Sequence, residues 1–276
     1  MACQHGQVMD QVEPCVVLCD LDGVVWLSHE PIPGSVDAIA ALRAGGHRVL
    51  FVTNNSSARV EVQEASLLAI GIPAEGDVLT SANAAALLIE PGERVLVCGG
   101  EGVIQAVVGR GAVVVDHDAE RADVVMVGFH RTFDYEAMLR ASRAVLNGAR
   151  LIGTNDDATY PTPDGPIPGG GAILASIVTA SGVVPIVAGK PHAPMAALVR
   201  ATIGESAAKA AVMVGDRPET DGLMAQTLGC RYAHVESGVT APGTTVVPTP
   251  DMIESDLAAV AKVLIGGSMS GGRLRP

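Results

Sequence analysis

The sequence predicts an α/β protein, a doubly wound parallel-sheet core with a smaller α/β domain inserted into it. Short runs of aliphatic, often β-branched residues alternate with helix-period segments along most of the chain. Those runs are apolar almost without interruption, as strands covered on both faces must be. Polar residues suited to chemistry fall on both sides of a central stretch that carries its own set of alternating elements, so that stretch reads as an insertion. Of the 276 residues, 48% are hydrophobic and only 3% aromatic, so the core must be built from Val, Leu, Ile and Ala. Such a core suits packed layers of helix and sheet.

The runs at Val16–Cys19, 49–52, 211–214 and 232–235 make the central sheet. Between the first two, Pro33-Gly34-Ser35 precedes Val36, Ile39 and Leu42 at helical spacing, and Gly45-Gly46 follows as a stop. That is one βαβ unit, and its right-handed crossover puts the carboxyl ends of both strands along one rim. In the central stretch, strand-like runs at 95–98, 113–115 and 124–127 alternate with helical patterns at 103–108, 135–146 and 172–179. Strand-like sequence resumes at Ile186. The expected organisation is a discontinuous core, 14–82 plus 185–265, an inserted cap domain over 83–184, and loose termini at 1–13 and 266–276. An inserted domain beside a cleft is well placed to act as a lid.

The formal net charge of -12 argues against attraction to nucleic acid or an anionic membrane surface. It leaves a phosphate substrate open, because a bound cation reverses the field inside one cleft. The first residues lack an export signal, and no apolar run reaches the ~20 residues of a membrane span. Cys3, Cys15, Cys19, Cys98 and Cys230 form neither a Cys-x-x-Cys pair nor a zinc-like spacing with His, and Cys15 and Cys19 read as small core residues. A soluble protein of the reducing cytoplasm is expected.

Asp20-Leu21-Asp22-Gly23 directly follows the first buried strand. Two carboxylates therefore sit where open α/β sheets bind ligands, and Gly23 permits the turn. The second strand ends in Thr53-Asn54-Asn55-Ser56, hydroxyl and amide donors just before a helix. Alone, that cluster is an ordinary N-cap. Gly189-Lys190-Pro191 supplies one compact cation, and the strand at 211–214 runs into Gly215-Asp216-Arg217-Pro218-Glu219-Thr220-Asp221. Four sheet-end positions thus present Asp, Thr, Lys and Asp in order.

That order resembles the haloacid dehalogenase superfamily, and within it the cap-bearing branch of NagD, phosphoglycolate, glycerol-3-phosphate and 4-nitrophenyl phosphatases. The resemblance runs from Pro14 to about Leu264 and includes Ala-Thr-Tyr-Pro-Thr, Gly-x-Ile-Pro-Gly and Gly-Ala-Ile pieces between Asn155 and Gly171. It implies Mg²⁺-dependent hydrolysis of a small phosphorylated metabolite through an aspartyl-phosphate on Asp20, with Asp22 as general acid and base. It further implies Mg²⁺ held by the Asp20 and Asp216 carboxylates and the Asp22 carbonyl, with Asp221 orienting that shell. Thr53, the Asn54 backbone and Asn55 are expected to bind the phosphoryl group and Lys190 to neutralise charge, and caps of this branch often supply homodimer contacts, which leaves the oligomeric state open. Two departures stand out: Gly222 where many relatives carry an aliphatic residue, and Asn155-Asp156-Asp157 where Asn-Pro-Asp is frequent.

Gly99-Gly100-Glu101-Gly102 imitates a dinucleotide fingerprint with Asp116 beyond it, but Gln105 occupies the third glycine position, so a tight turn is expected. Gly169-Gly170-Gly171 reads as a hinge or cap loop, and His192 as structural. Trp26 either lines the cleft entrance or packs under the cap. A receiver-like signalling module also gathers Asp, Thr and Lys around a phosphorylated Asp, but it accounts neither for Asp22 nor for the insertion. A phosphomutase is the alternative within the superfamily.

Overall fold

The computed structural model describes residues 13–27, 29–115, 121–162, 164–241 and 243–266. Cys3, His5, Asp116, His117 and the terminal segments 1–12 and 267–276 lie outside the described residues. No helix among those described is long and apolar enough to cross a membrane.

The first sheet has six strands, in spatial order Met252–Glu254, Arg231–Val235, Val212–Gly215, Val16–Cys19, Arg48–Thr53 and Val78–Thr80. All pair in parallel, with Val17 beside both Val49 and Val212. Val17, Leu18 and Cys19 are wholly buried because helices cover both faces, which is why the strand reads as an unbroken apolar run. The helix Ser35–Ala44 turns Ala38, Ile39 and Leu42 inward and ends at Gly45, as its spacing predicts. The flanking strands Val78–Thr80 and Met252–Glu254 are too short to stand out in sequence, and packing beside longer neighbours defines them.

A second parallel sheet runs Ile186–Val187, Arg150–Gly153, Val124–Val127, Arg94–Cys98, Val113–Val114. Its edge strand corrects one expectation. Ile186–Val187 pairs with Ile152 and Gly153 of this sheet, not with the first sheet. Two half-exposed residues bounded by a loop carry no period that distinguishes one sheet from the other, and hydrogen bonding to an available edge decides.

One apolar cluster runs through both sheets, joining Leu18, Leu50 and Met213 of the first to Val95, Val124, Met126 and Ile152 of the second. The helix segments Ser81–Ala86 and Ala193–Ile203 stand between them. Polar stitches add to it: Ser56 and Thr154 share a buried 2.9 Å hydroxyl contact, and Asn155 Nδ2 donates to the Asn54 carbonyl at 2.7 Å. The Gly99–Gly102 turn belongs to this junction. Gly102 N–H donates to Ser57 O at 3.1 Å, and a Cβ on Gly100 or Gly102 would strike the backbone of Ser57 or of Ser56 and Ala58. These glycines let two backbones meet, which is why the turn mimics a nucleotide fingerprint without being one.

Candidate active site

The cleft lies between the two sheets and is lined from the first by Asp20, Asp22, Thr53, Asn54 and Arg217, and from the inserted region by Phe129, Asp157 and Tyr160, the last on a short ribbon in which Thr159–Tyr160 pairs antiparallel with Ile167–Pro168. Asp20 is the first residue past its strand, held there by its N–H donating to Val214 O at 3.0 Å. Its Oδ1 accepts from Leu21 N–H at 2.8 Å and from Lys190 Nζ at 2.7 Å. Asp20 Oδ2 has no protein partner among the described residues.

Lys190 is the pivot. Its side chain is only 2% exposed, and Nζ bridges Asp20 Oδ1 and Asp221 Oδ1, each at 2.7 Å. Burial works against the ammonium, but the two carboxylates outweigh it and hold the pKa above the ordinary lysine range. Asn54 fixes this lysine from its main chain: Oδ1 accepts from Lys190 N–H at 2.7 Å and Nδ2 donates to Lys190 O at 3.0 Å. The Asn54 side chain is therefore consumed in holding Lys190 and, at 3.2 Å, Asp157, instead of facing a phosphoryl oxygen. Because Lys190 follows the edge strand of the second sheet, it enters the site from the opposite side to Asp20 and not from the shared rim.

The second strand's loop is also not a helix cap. The next helix, Val60–Ala69, starts after Arg59, and the intervening residues fold on themselves. Thr53 Oγ1 accepts from Asn55 N–H at 3.0 Å, and Asn55 Oδ1 accepts from Ser57 N–H at 3.0 Å and Ser57 Oγ at 2.7 Å. This arrangement turns the Thr53 hydroxyl into a lining group of the cleft.

Asp216 is wholly buried, and its Oδ1 has no hydrogen-bond partner among the described residues. Oδ2 accepts from Val239 N–H at 2.8 Å. Glycine makes the room, since a Cβ on Gly23 or Gly238 would occupy the space of this carboxylate, and Gly23 has φ +87. One carboxylate oxygen from each of Asp20, Asp216 and Asp221 lies within 4.8 Å of the others. Burial, then the charge of Asp20, pushes Asp216 up to about 6. Burial, then the charges of Asp20 and Asp216, pushes Asp22 up to about 7. An all-oxygen donor set around an unsatisfied buried carboxylate fits a hard divalent cation such as Mg²⁺. Asp22 contributes no carboxylate oxygen to this cluster; its side chain lines the cleft beside it.

Both departures from the motif pattern have physical counterparts. A Cβ on Gly222 would sit 2.9 Å from Pro248 and 3.0 Å from Tyr232, so those rings fill the space behind Asp221. Asp156 pairs with His192 Nε2 at 3.0 Å, which gives the histidine its structural role and holds the Asp156 carboxyl below its usual range. Trp26 is buried and lines a side cavity shared with Asp22, Phe129 and Tyr160, so it is both packed and close to the entrance. Gly169 and Gly170 line the cleft where the helix Gly170–Ser181 begins.

Sequence reasoning missed Arg217 and Phe129 as lining residues, whereas Asp157 and Tyr160 lie in the segment from Asn155 to Gly171 that carries the resemblance, although neither was singled out. Arg217 stood inside a quoted motif, and the only available signal was its position directly after Asp216. Phe129 and Tyr160 stack with centroids 5.5 Å apart, a contact between segments that no local pattern announces.

A model of haloacid dehalogenase-like hydrolases matches residues 17–112, and a HAD-hydrolase-like model matches 187–260. The chain is 37% identical over 239 residues to a D-glycerol 3-phosphate phosphatase of Mycobacterium tuberculosis, covering 85% of this chain and 66% of that protein, about two thirds of its length. It is 36% identical to an acid sugar phosphatase of Staphylococcus saprophyticus, covering 81% of this chain and 86% of the relative. The crystal structure of a glycerol phosphate phosphatase from Mycobacterium tuberculosis in complex with magnesium superposes with TM-score 0.82 at 33% identity, covering 93% of this chain and 80% of that one.

Proposed function

Because the chain belongs to the haloacid dehalogenase-like hydrolases, we propose that it hydrolyses small phosphate monoesters in a Mg²⁺-dependent reaction, with Asp20 as nucleophile. The observation that carries this reading is the buried Lys190 bridge between Asp20 and Asp221, set beside an Asp216 oxygen with no partner. A structural ion pair would leave no such oxygen. A site that draws an anionic substrate through a divalent cation needs such an oxygen as a ligand.

Asp20 Oδ1 is committed to Lys190 and Leu21, which leaves Oδ2 to attack phosphorus. The new P–O bond gives an acyl phosphate as the ester oxygen leaves, dividing one difficult displacement into two. Asp22, raised toward neutrality by its surroundings, gives its proton to the departing alkoxide and afterwards takes one from the attacking water. Lys190 and the Thr53 hydroxyl bind the transferred group's charge, and Asn54 keeps Lys190 in register. Mg²⁺ would be held by Asp20 and Asp216, with Asp221 behind them, and when bound it screens nucleophile from phosphate and polarises the phosphoryl oxygens.

Phe129, Tyr160 and Asp157 from the inserted region line the cleft opposite Asp20, so we place substrate selection there. A receiver-like module would need none of these, nor Asp22. The same reading takes 83–187 as a cap domain, its upper bound moved from 184 because Ile186–Val187 pairs within its sheet, and a cytoplasmic setting. Purified protein is expected to release phosphate from a panel of esters with Mg²⁺, to stop with chelator, and to be inactive as Asp20→Asn. Turnover by that variant, or in chelator, would overturn the mechanism.

A further inference from the structure

A second cavity lies in the inserted sheet, outside the catalytic cleft, and encloses about 250 Å³. It opens past the carboxyl ends of Arg94–Cys98 and Val124–Val127. These two strands are where the chain order reverses: from Arg94–Cys98 the path moves first to one neighbour, Val113–Val114, and then to the other. A crevice at such a reversal is where open parallel sheets hold ligands, because the crossover helices diverge to opposite faces there.

The lining divides by chemistry. Leu96, Ile104, Ala137 and Ala141 make an apolar floor. Arg140 brings a guanidinium whose positive charge reaches Cys98, and it forms no ion pair or side-chain hydrogen bond with any described residue. Arg150, by contrast, is committed: Nη2 donates to both Glu93 carboxylate oxygens and Nη1 to Leu88 O. His130 Nδ1 is 3.2 Å from Thr132 Oγ1 and Nε2 is 3.7 Å from Cys98 Sγ, so the ring closes one wall. Asp134 is occupied as the helix N-cap, accepting from Ala137 N–H at 2.8 Å.

We propose that this cavity is a binding site for a small organic anion with a short apolar body, its carboxylate or phosphoryl group held by Arg140. Arg140, with no partner among the described residues and set over an apolar floor, offers an anion a charge-assisted contact that a neutral or cationic molecule cannot make. Phe129 lines the catalytic cleft and the adjacent His130 lines this cavity, so the two sites share one segment of chain.

Butyrate and propylphosphonate are suitable probes, with butanol and butylamine as neutral and cationic counterparts, titrated into the full-length chain by calorimetry and ligand-observed NMR. Saturable binding of either anion in preference to both counterparts is expected, with a loss of roughly tenfold or more in Arg140→Gln, the scale of one charge-assisted hydrogen bond. Ala137→Leu, which fills the cavity from its floor, is expected to abolish binding while leaving Arg140 intact. Binding of butyrate alone identifies a carboxylate ligand, and binding of propylphosphonate alone a phosphoryl one. The proposal falls if neither anion binds, or if binding survives either substitution. Neither residue lines the catalytic cleft, so phosphate release by both variants should match the parent chain, and this outcome is independent of whether Asp20 is the nucleophile.

Discussion

Replacing Asp216 by Asn should make the metal-free protein more stable and at the same time blind it to Mg²⁺. The carboxylate is 0% exposed, faces Asp20, and leaves Oδ1 without a partner. Its pKa rises from 3.8 to about 6. At about 1.4 kcal/mol per tenfold change in proton affinity, holding it ionised costs about 3 kcal/mol. The sign follows from proton counting. Between 3.8 and about 6 the folded chain keeps a proton that the unfolded chain has released, so stability falls as pH rises through that window and the full penalty applies above it. The Asn amide oxygen still accepts from Val239 N–H but carries no charge. At pH 8 without metal, Asp216→Asn should therefore gain about 3 kcal/mol, or about 5–10 °C in Tm for a chain of this size. At pH 4 the gain should vanish, because both side chains are neutral. Mg²⁺ should raise the parent Tm at pH 8 and leave the variant unmoved. Scanning calorimetry with and without Mg²⁺ at both pH values decides it. A variant less stable than the parent at pH 8 without metal, or equal Mg²⁺ stabilisation of both, would refute the assignment of Asp216 as a strained ligand.

Lys190→Met should cost about 3–5 kcal/mol in urea unfolding and eliminate phosphate release, because it strands two buried carboxylates. Asp22→Asn should slow the first half-reaction by about 10²–10⁴ for alkyl esters, whose leaving group needs a proton, and far less for a nitrophenyl ester, which needs none, while the hydrolytic second step slows alike for both. Comparing the two substrates by single-turnover burst rates tests the role directly, and an equal loss in the burst would contradict it. Gly102→Ala, whose Cβ would strike Ala58 O and Ser56 O, should lower both Tm and kcat/KM by prising the two sheets apart at the cleft. The same substitution at Gly109, where a Cβ meets nothing within 4 Å, should leave the catalytic parameters unchanged.

Much of the site was legible before any coordinates. Asp20, Asp22 and Asp216 each lie within a few residues of a strand buried on both faces, and a near-continuous apolar run followed by acid and glycine is a local signal that survives without knowledge of neighbours. Gly23 was legible for the same reason, although its second duty, leaving space for the Asp216 carboxylate, was not. The expectation that the Asn54 backbone binds phosphate left its side chain without a task, and only its contacts across to Lys190 revealed that both its polar atoms are already used.

What the chain's order of residues settled is the layered parallel architecture and the identity of the groups that meet at the carboxyl ends of its strands, since burial on two faces and the turn after each strand are written in consecutive residues. What awaited the folded molecule is everything that depends on which edge a short strand chooses. Ile186–Val187 joins the second sheet, and so brings Lys190 in from across the cleft to reach Asp20. Arg217 and Asp157 enter the lining, Phe129 stacks on Tyr160, and a cavity opens around Arg140. Those outcomes turn on hydrogen bonds and close packing between segments far apart in the chain, whose energies no window of neighbouring residues contains.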